Sequence, residues 1–373
     1  MVDIKKVETK KDLKNFIDFP HELYKDDPNY VPELYLSQKD LLSKNHPFFK
    51  HSKADLFLAY KGGSIVGRIA AIRNNNYIDY TGNEIGFFGF IEFEDDEEVS
   101  TALLDKATQW VKDEGLNSIM GPENYSTNET CGTLVEGYDS PPMVMMPYNR
   151  SYYIEHLEKY GFVKAMDLLA YRFEQDGFTE RLKRMALMIE DRLKRQGITI
   201  RKFEIKNFKE EVAKIKSVYN SAWEKNWGFV PMTDEEFAHS AKDLKQIVDP
   251  DFLLIAEQDG RPIAFSLTLP NVNEIFIKIK RGRLFPFGIF KLLFGRKNIK
   301  GIRIITLGII ERYRKLGIDA YFYFKAYEEA IKKGITVGES SWILENNEMM
   351  NRAIVNINGQ LYKKYRIFKK DLE

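Results

Sequence analysis

A chain of 373 residues is longer than one ordinary hydrophobic core serves, so its length predicts two domains. With 56 basic against 55 acidic residues the net charge is +1, which gives no global field for capturing nucleic acid, and the hydrophobic (44%) and aromatic (13%) shares are those of a globular protein with aromatic-rich cores. The lone Cys131 excludes an intrachain disulfide and a cysteine-rich metal cluster, and the five histidines show no ligand spacing, so no metal is expected.

The first residues, 1–14, are charged rather than apolar, and no apolar run is long enough to span a bilayer. Both features predict a cytoplasmic protein without a signal peptide. Further along, residues 55–60 and 65–72 read as paired strands around the turn Lys61-Gly62-Gly63. A strand follows at 85–93, then a helix at 97–112 whose apolar residues Val99, Leu103, Ala107 and Val111 recur every four positions and share a face. Gly115 ends that helix. A strand at 116–120 leads to the polar run 124–129, a loop at 132–147, a short helix closed by Gly161, and a strand carrying Tyr171 and Phe173.

Near Gln175 the pattern restarts. Residues 178–196 read as a strongly basic amphipathic helix, and 219–231 concentrates aromatic and amide side chains. Strands at 251–256 and 262–269 flank the turn Gln258-Asp259-Gly260-Arg261, which repeats the first hairpin. After an insertion, the strand at 302–310 enters a helix carrying Leu316, Ala320, Phe324 and Tyr327 and stopping at Gly334; a strand at 335–344, a helix closed by Gly359 and a last strand with Tyr365 and Phe368 complete the series. Two stretches thus repeat one order of patterns. This duplication predicts two mixed α/β domains, 1–175 and 176–373, each with a strand, a helix and a parallel strand in a right-handed crossover.

The segment from Ile309 to Ala320 (IIERYRKLGIDA) resembles the pyrophosphate loop of the GNAT acyltransferase superfamily, whose pattern is Arg/Gln-x-x-Gly-x-Gly/Ala between a strand and a helix. Arg314 and Gly317 occupy the first two fixed positions, whereas Asp319 stands where Gly or Ala is usual. The physical basis is general: free amides at a helix start, at the positive end of its dipole, bind phosphate oxygens. The resemblance implies two tandem acyl-CoA N-acyltransferase-like domains and acetyl-CoA or another acyl-CoA as cosubstrate. It places Arg312, Arg314, Lys315, Leu316, Gly317, Ile318, Asp319 and Ala320 around the diphosphate, with the backbone of Leu307 and Ile309 against the pantetheine arm. In the first copy the corresponding run, Glu92-Phe93-Glu94-Asp95-Asp96-Glu97-Glu98, is acidic and predicts a degenerate loop.

The chemistry implied is transfer of an acyl group, acetyl being expected, to the amine of a small or amino-acid-like acceptor. The position where many family members carry a proton-donating tyrosine is Val355, so the catalytic candidates are Glu345, sharing a strand face with Glu339, Ser341 and Ile343, and Asn347 near the thioester. Glu345 reads equally as a strand-end surface acid. Alternatives are a Fem-like aminoacyl transferase using aminoacyl-tRNA, and a binding protein of the same fold without activity. The insertion, 273–300, interleaves Lys278, Lys280, Arg281, Arg283, Lys291, Arg296, Lys297 and Lys300 with five phenylalanines. Such a mixture suits an anionic membrane surface, but the expected fate is packing on its own domain or on a second subunit. A homodimer is left open, and nucleic acid is not expected as a partner.

Overall fold

A computed structural model describes residues 1–177, 179–224 and 226–372. In chain order the elements begin with β1 (Asp3–Lys6), α1 (Lys10–Leu23), α2 (Tyr35–Leu41), β2 (Lys53–Lys61), β3 (Ser64–Arg73), α3 (Asn75–Thr81), β4 (Ile85–Phe93), α4 (Glu97–Asp113), β5 (Ser118–Gly121), β6 (Thr133–Glu136), α5 (Tyr153–Lys159) and β7 (Val163–Glu174). They continue with α6 (Glu180–Arg195), β8 (Ile198–Lys202), α7 (Phe208–Trp223), α8 (Asp234–Leu244), β9 (Leu253–Gln258), β10 (Arg261–Pro270), α9 (Asn273–Phe276), α10 (Ile289–Gly295), β11 (Gly301–Ile309), α11 (Ile318–Lys332), β12 (Val337–Leu344), α12 (Glu348–Asn356) and β13 (Gln360–Asp371). Among the described residues no helix is long and apolar enough to cross a membrane. Phe178, expected to open the basic helix, lies outside them.

Both predicted hairpins form, and with the same turn. Lys61 pairs Ser64 across Gly62 and Gly63 (φ 59° and 83°), and Gln258 pairs Arg261 across Asp259 and Gly260 (φ 51° and 73°). Two residues of positive φ define the tight turn whose twist matches the flanking strands. The spacing-of-four face of α4 is buried as predicted, with Val99, Leu103, Ala107 and Val111 at the core. Gly67 lets α4 lie close on β3, since a Cβ there would stand 2.6 Å from Leu103 Cδ1. The face predicted for α11 differs from the one buried. The helix begins only at Ile318, so Leu316 is outside it, and it buries Ile318, Tyr321, Phe322, Tyr323, Phe324, Ala326 and Ala330, because clusters around α6, α12 and Phe252 claim different sides.

The compact units are not the contiguous halves 1–175 and 176–373. One comprises residues 1–168, 273–297 and 363–373; the other comprises 169–272 and 298–362. In the first, β1 to β5 follow each other across the sheet and β5 pairs antiparallel with β13, Phe368 opposite Gly121. Tyr365, Ile367 and Phe368 are fully buried there, Arg366 grips the buried Asp167 (Nε to Oδ1 2.7 Å), and Lys363 donates to the carbonyl of Ser140 (2.8 Å). In the second, β8, β9, β10, β11 and β12 lie side by side and the last residues of β7 follow β12. Tyr171 and Phe173 of that strand pack with Tyr323, Ile343 and Ile354. The insertion, expected to pack on the C-terminal domain or on a second subunit, belongs to the first unit. Asn273 donates to the carbonyl of Pro142 (2.9 Å), and Arg283 pairs with Asp18 of α1 (2.6 Å).

The strand that completes the first sheet comes from the far end of the chain. Residues 1–175 expressed alone are therefore expected to lack a cooperative thermal transition and to aggregate, because β5 and β6 lose their neighbour and a buried aromatic strand is missing. Differential scanning calorimetry of that fragment beside the full chain checks this; a sharp transition in the fragment would contradict it.

Candidate active site

In the second unit, β11 and β12 run parallel from Gly301 opposite Val337 to Ile304 opposite Ser340, where their ladder ends. Beyond that point β11 continues to Ile309, still paired on its other side with β10, Leu307 opposite Ser266 and Ile309 opposite Ala264. The backbone of Leu307 and Ile309 is thus paired on one edge and lies past the end of the β12 ladder on the other. Trp223 of α7 packs against β11 at Gly308, where a Cβ would meet the indole at 2.2 Å. Its ring stacks on Tyr219 (4.9 Å) and lies near Phe265 (5.8 Å), so the aromatic run 219–231 forms an apolar wall beside the strand. Lys225 in that run lies outside the described residues.

At the end of β11 the chain makes a 3-10 turn over Glu311–Tyr313, then Lys315 and Gly317 take positive φ (69° and 85°) and α11 begins. Arg314 does not reach outward. Its guanidinium donates to the carbonyls of Ile309 (3.3 Å) and Ala222 (3.0 Å), shaping the loop from within. Arg312 lies over the Tyr313 ring (4.7 Å), and Arg312 and Lys315 are exposed. Gly317, in the cap position of α11, supplies no side chain to cap it; Ile318 is buried, and Asp319 and Ala320 sit half-buried in its first turn. Sequence reasoning missed Arg192 of α6, whose guanidinium donates to the carbonyl of Leu316 and would lie 3.1 Å from a Cβ on Gly317. The basic amphipathic pattern of α6 was visible, but not what it faces. Uncapped amides, a turn that a Cβ would crowd, and the cations Arg192, Arg312 and Lys315 fit a diphosphate; Asp319 is the opposing charge.

Beside the last rung of the ladder sits a buried polar cluster. Arg303, directly opposite Glu339, donates from Nε to Ser341 Oγ (2.7 Å) and from Nη2 to the Ser341 carbonyl (3.1 Å), and lies 3.5 Å from the Glu339 carboxylate. The hydroxyls of Ser341 and Tyr362 both donate to Glu339, which is fully buried. A carboxylate so placed is tenable only because a cation and two hydroxyls satisfy it, and removing one partner of such a pair costs about 3–5 kcal/mol. Glu345, by contrast, is half-buried past the end of β12, and the Asn347 amide oxygen accepts the Met350 N–H (3.2 Å) as the cap of α12. Val355 is exposed.

The first unit treats the corresponding helix start differently. Asp96 caps α4, its Oδ1 accepting the Glu98 N–H (3.0 Å); Lys61 bridges Asp96 and Glu98, and His156 bonds Asp95 (2.9 Å). That mouth is filled by its own acids. Nearby, Glu92 accepts from the hydroxyls of Tyr24 (2.6 Å) and Tyr153 (2.7 Å), with Arg68 at 4.0 Å, and burial pushes its carboxyl up against these three partners. Glu123, just after β5, is buried, and burial raises its carboxyl to about 8. Its Oε1 has no hydrogen-bond partner among the described residues. Neither acid stood out in the sequence, because burial leaves no mark on one residue in a polar run.

Two tandem mixed α/β lobes, each with a parallel strand pair that parts before a helix, define the GNAT fold. The chain is similar to a tandem GNAT protein from the clavulanic acid biosynthesis pathway (TM-score 0.60, 9% identity, 100% of this chain and 98% of that one). It is also similar to a GCN5-related N-acetyltransferase from Sphaerobacter thermophilus (TM-score 0.55, 12% identity, 99% and 95%). No protein-family model matches it. In sequence it is 37% identical over 371 residues to Protein YghO of Escherichia coli, covering 97% of this chain and 94% of that protein. It is 36% identical over 377 residues to the bacterial ceramide synthase of Caulobacter vibrioides, covering 98% and 96%. The chain belongs to the family of these two proteins.

Glu123 generates a pH prediction. A carboxyl at about 8 when folded, against an ordinary value of 4.5, binds a proton between those limits that the unfolded chain has released. Its contribution to stability is therefore complete below pH 4.5 and is lost as pH rises through 8. Glu123→Gln keeps the shape and removes the titration. The difference in unfolding free energy, variant minus wild type, should grow by about 1.4 kcal/mol per pH unit across that window. Urea unfolding at several pH values measures it, and a constant difference would refute the assignment.

Proposed function

We propose that this protein is an N-acyltransferase that moves a long-chain acyl group from an acyl-CoA thioester to the amino group of a long-chain amino alcohol, forming a ceramide-type amide. The observation that carries the proposal is the 36% identity to a bacterial ceramide synthase along nearly the whole of both chains. A ceramide is an amide of a fatty acid with such an amino alcohol, so this acceptor replaces the small or amino-acid-like amine, and a long acyl group replaces acetyl. Support from the site is chemical. Beside β11, Trp223 packs on Gly308 and stacks on Tyr219, an apolar surface suited to a hydrocarbon chain.

When bound, the acyl-CoA supplies the activated acyl group. The chain's own residues do the rest. The backbone of Leu307 and the amide of Ile309, on the edge away from β10, align the pantetheine arm as an added strand would. The amides of Ile318, Asp319 and Ala320, with Arg192, Arg312 and Lys315, hold the diphosphate. Arg314 keeps the loop in shape. For proton transfer we assign Tyr362, whose phenol is oriented by Glu339; Glu339 is a positioning residue, because Arg303, Ser341 and Tyr362 already engage its oxygens. Asn347 is engaged instead as the cap of α12.

The test is conversion of palmitoyl-CoA and sphinganine to the N-acyl product, followed by mass spectrometry and thiol release. Tyr362→Phe and Glu339→Gln should lower kcat by roughly 10²-fold with little change in KM. Gly317→Val, forced into positive φ and crowded by Ile189 and Arg192, should raise the KM for palmitoyl-CoA by about tenfold. Absence of amide product with this pair, alongside turnover of acetyl-CoA with a small amine, would overturn the long-chain assignment.

A further inference from the structure

The insertion turns its apolar residues the wrong way for a core. Its inner side is fixed: a Cβ on Gly288 would stand 3.0 Å from Ile279 Cγ2, and one on Gly295 would stand 3.0 Å from Ile275 Cγ1, so the start and end of α10 lie flat on the segment that begins with α9. Gly282 has φ +61°, and a Cβ on it would collide with the Glu33 carbonyl at 1.8 Å, which seats the segment on the first unit. Arg281 pairs with Glu22, and Arg283 pairs with Asp18 and lies over the Tyr35 ring (3.4 Å). With that side anchored, Phe287, Phe290 and Phe294 fall at intervals of three and four on the outer face, joined by Phe285 and Leu293. All five are exposed, from 54% at Phe290 to 74% at Phe294. A core-facing helix of a globular protein shows the reverse pattern.

The charges around this face decide what covers it. Lys278, Lys280, Lys291, Arg296 and Lys297 are all exposed, and the only acid between residues 273 and 300 is Glu274. A second copy of the chain would set two such cationic rims against each other. It would also have to build a stable interface, which takes roughly 20–30 residues a side, around five apolar side chains. An anionic bilayer meets both demands at once: phenylalanine and leucine enter the boundary between headgroups and acyl chains, to a depth of about 5–10 Å, while lysine and arginine stay at the phosphates.

We propose that residues 285–297, carried by α10, form an interfacial anchor that docks the first unit on an anionic lipid surface, with Phe285, Phe287, Phe290, Leu293 and Phe294 inserted and Lys291, Arg296 and Lys297 on the headgroups. The anchor stands on its own geometry and does not depend on the reaction proposed above. Flotation with vesicles tests it, using the full chain and phosphatidylcholine alone or mixed with phosphatidylglycerol. The wild type should float with the mixed vesicles, far less with phosphatidylcholine, and be released at about 0.5 M salt. Phe287→Ser/Phe290→Ser/Phe294→Ser should cut the bound fraction roughly tenfold or more with little change in melting temperature, since these side chains are mostly exposed. Lys291→Glu/Lys297→Glu should abolish the preference for the anionic lipid. Failure of the wild type to float, or equal flotation of the serine variant, would overturn the anchor. A wild-type dimer that the serine substitutions convert to monomers, with no vesicle binding in either, would assign the face to a second copy instead.

Discussion

A peptide group that leaves a β-ladder must find another partner, and the parting of β11 from β12 is the constraint on which the second unit's site depends. Four rungs hold the strands together, from Gly301 and Val337 to Ile304 and Ser340, and then they separate. Two contacts flank the point where they part. Trp223 wedges on β11 at Gly308, where no side chain competes with it. Arg303 and Glu339 lock the last rungs from within, joined through Ser341. The buried ion pair stands one rung before pairing stops, and the indole covers the face of β11 just beyond it.

The duplicated helix starts show how one fold position is put to opposite uses. In the first unit Asp96 turns its carboxylate onto the amides of α4, and Lys61 neutralises it, so the helix end is satisfied internally. In the second, a left-handed Gly317 stands in the cap position and offers no side-chain oxygen to the first amides of α11. The neighbouring cations follow the same division. Arg314 donates to the carbonyls of Ile309 and Ala222, and Arg192 gives one donor to the carbonyl of Leu316, which holds the loop in shape. Asp319 in the first turn is favourable to the helix dipole and is the charge there that opposes a phosphate.

What the sequence made legible was local. The pairs Gly62-Gly63 and Asp259-Gly260 each fix a turn by backbone sterics alone, and the four-residue spacing along α4 needs only the helical period. Arg314-x-x-Gly317 was readable for the same reason, since Gly317 reports a φ that few other residues adopt. The partners of Arg314 were not, because Ala222 lies 92 residues away and only tertiary packing brings it near. Glu339 and Glu345 look alike in an alternating strand; what separates them is Arg303, contributed by another strand. The exchange of β13 between units leaves no local trace either. Tyr365 and Phe368 show a buried strand but not which sheet receives it.

The exchange bears on the insertion as well. Residues 273–297 lie between β10 and β11, the latter being the strand that parts from β12 in the second unit, yet they fold on the first unit through Asn273, Gly282 and Arg283. Those anchors leave no choice about which side faces out, since glycines occupy the contacts with Ile275 and Ile279 and the large side chains cannot turn inward. A sequence that wanted this helix hidden would place its phenylalanines where Gly288 and Gly295 now stand. It does the opposite, so the exposed face is specified by packing rather than left over from it.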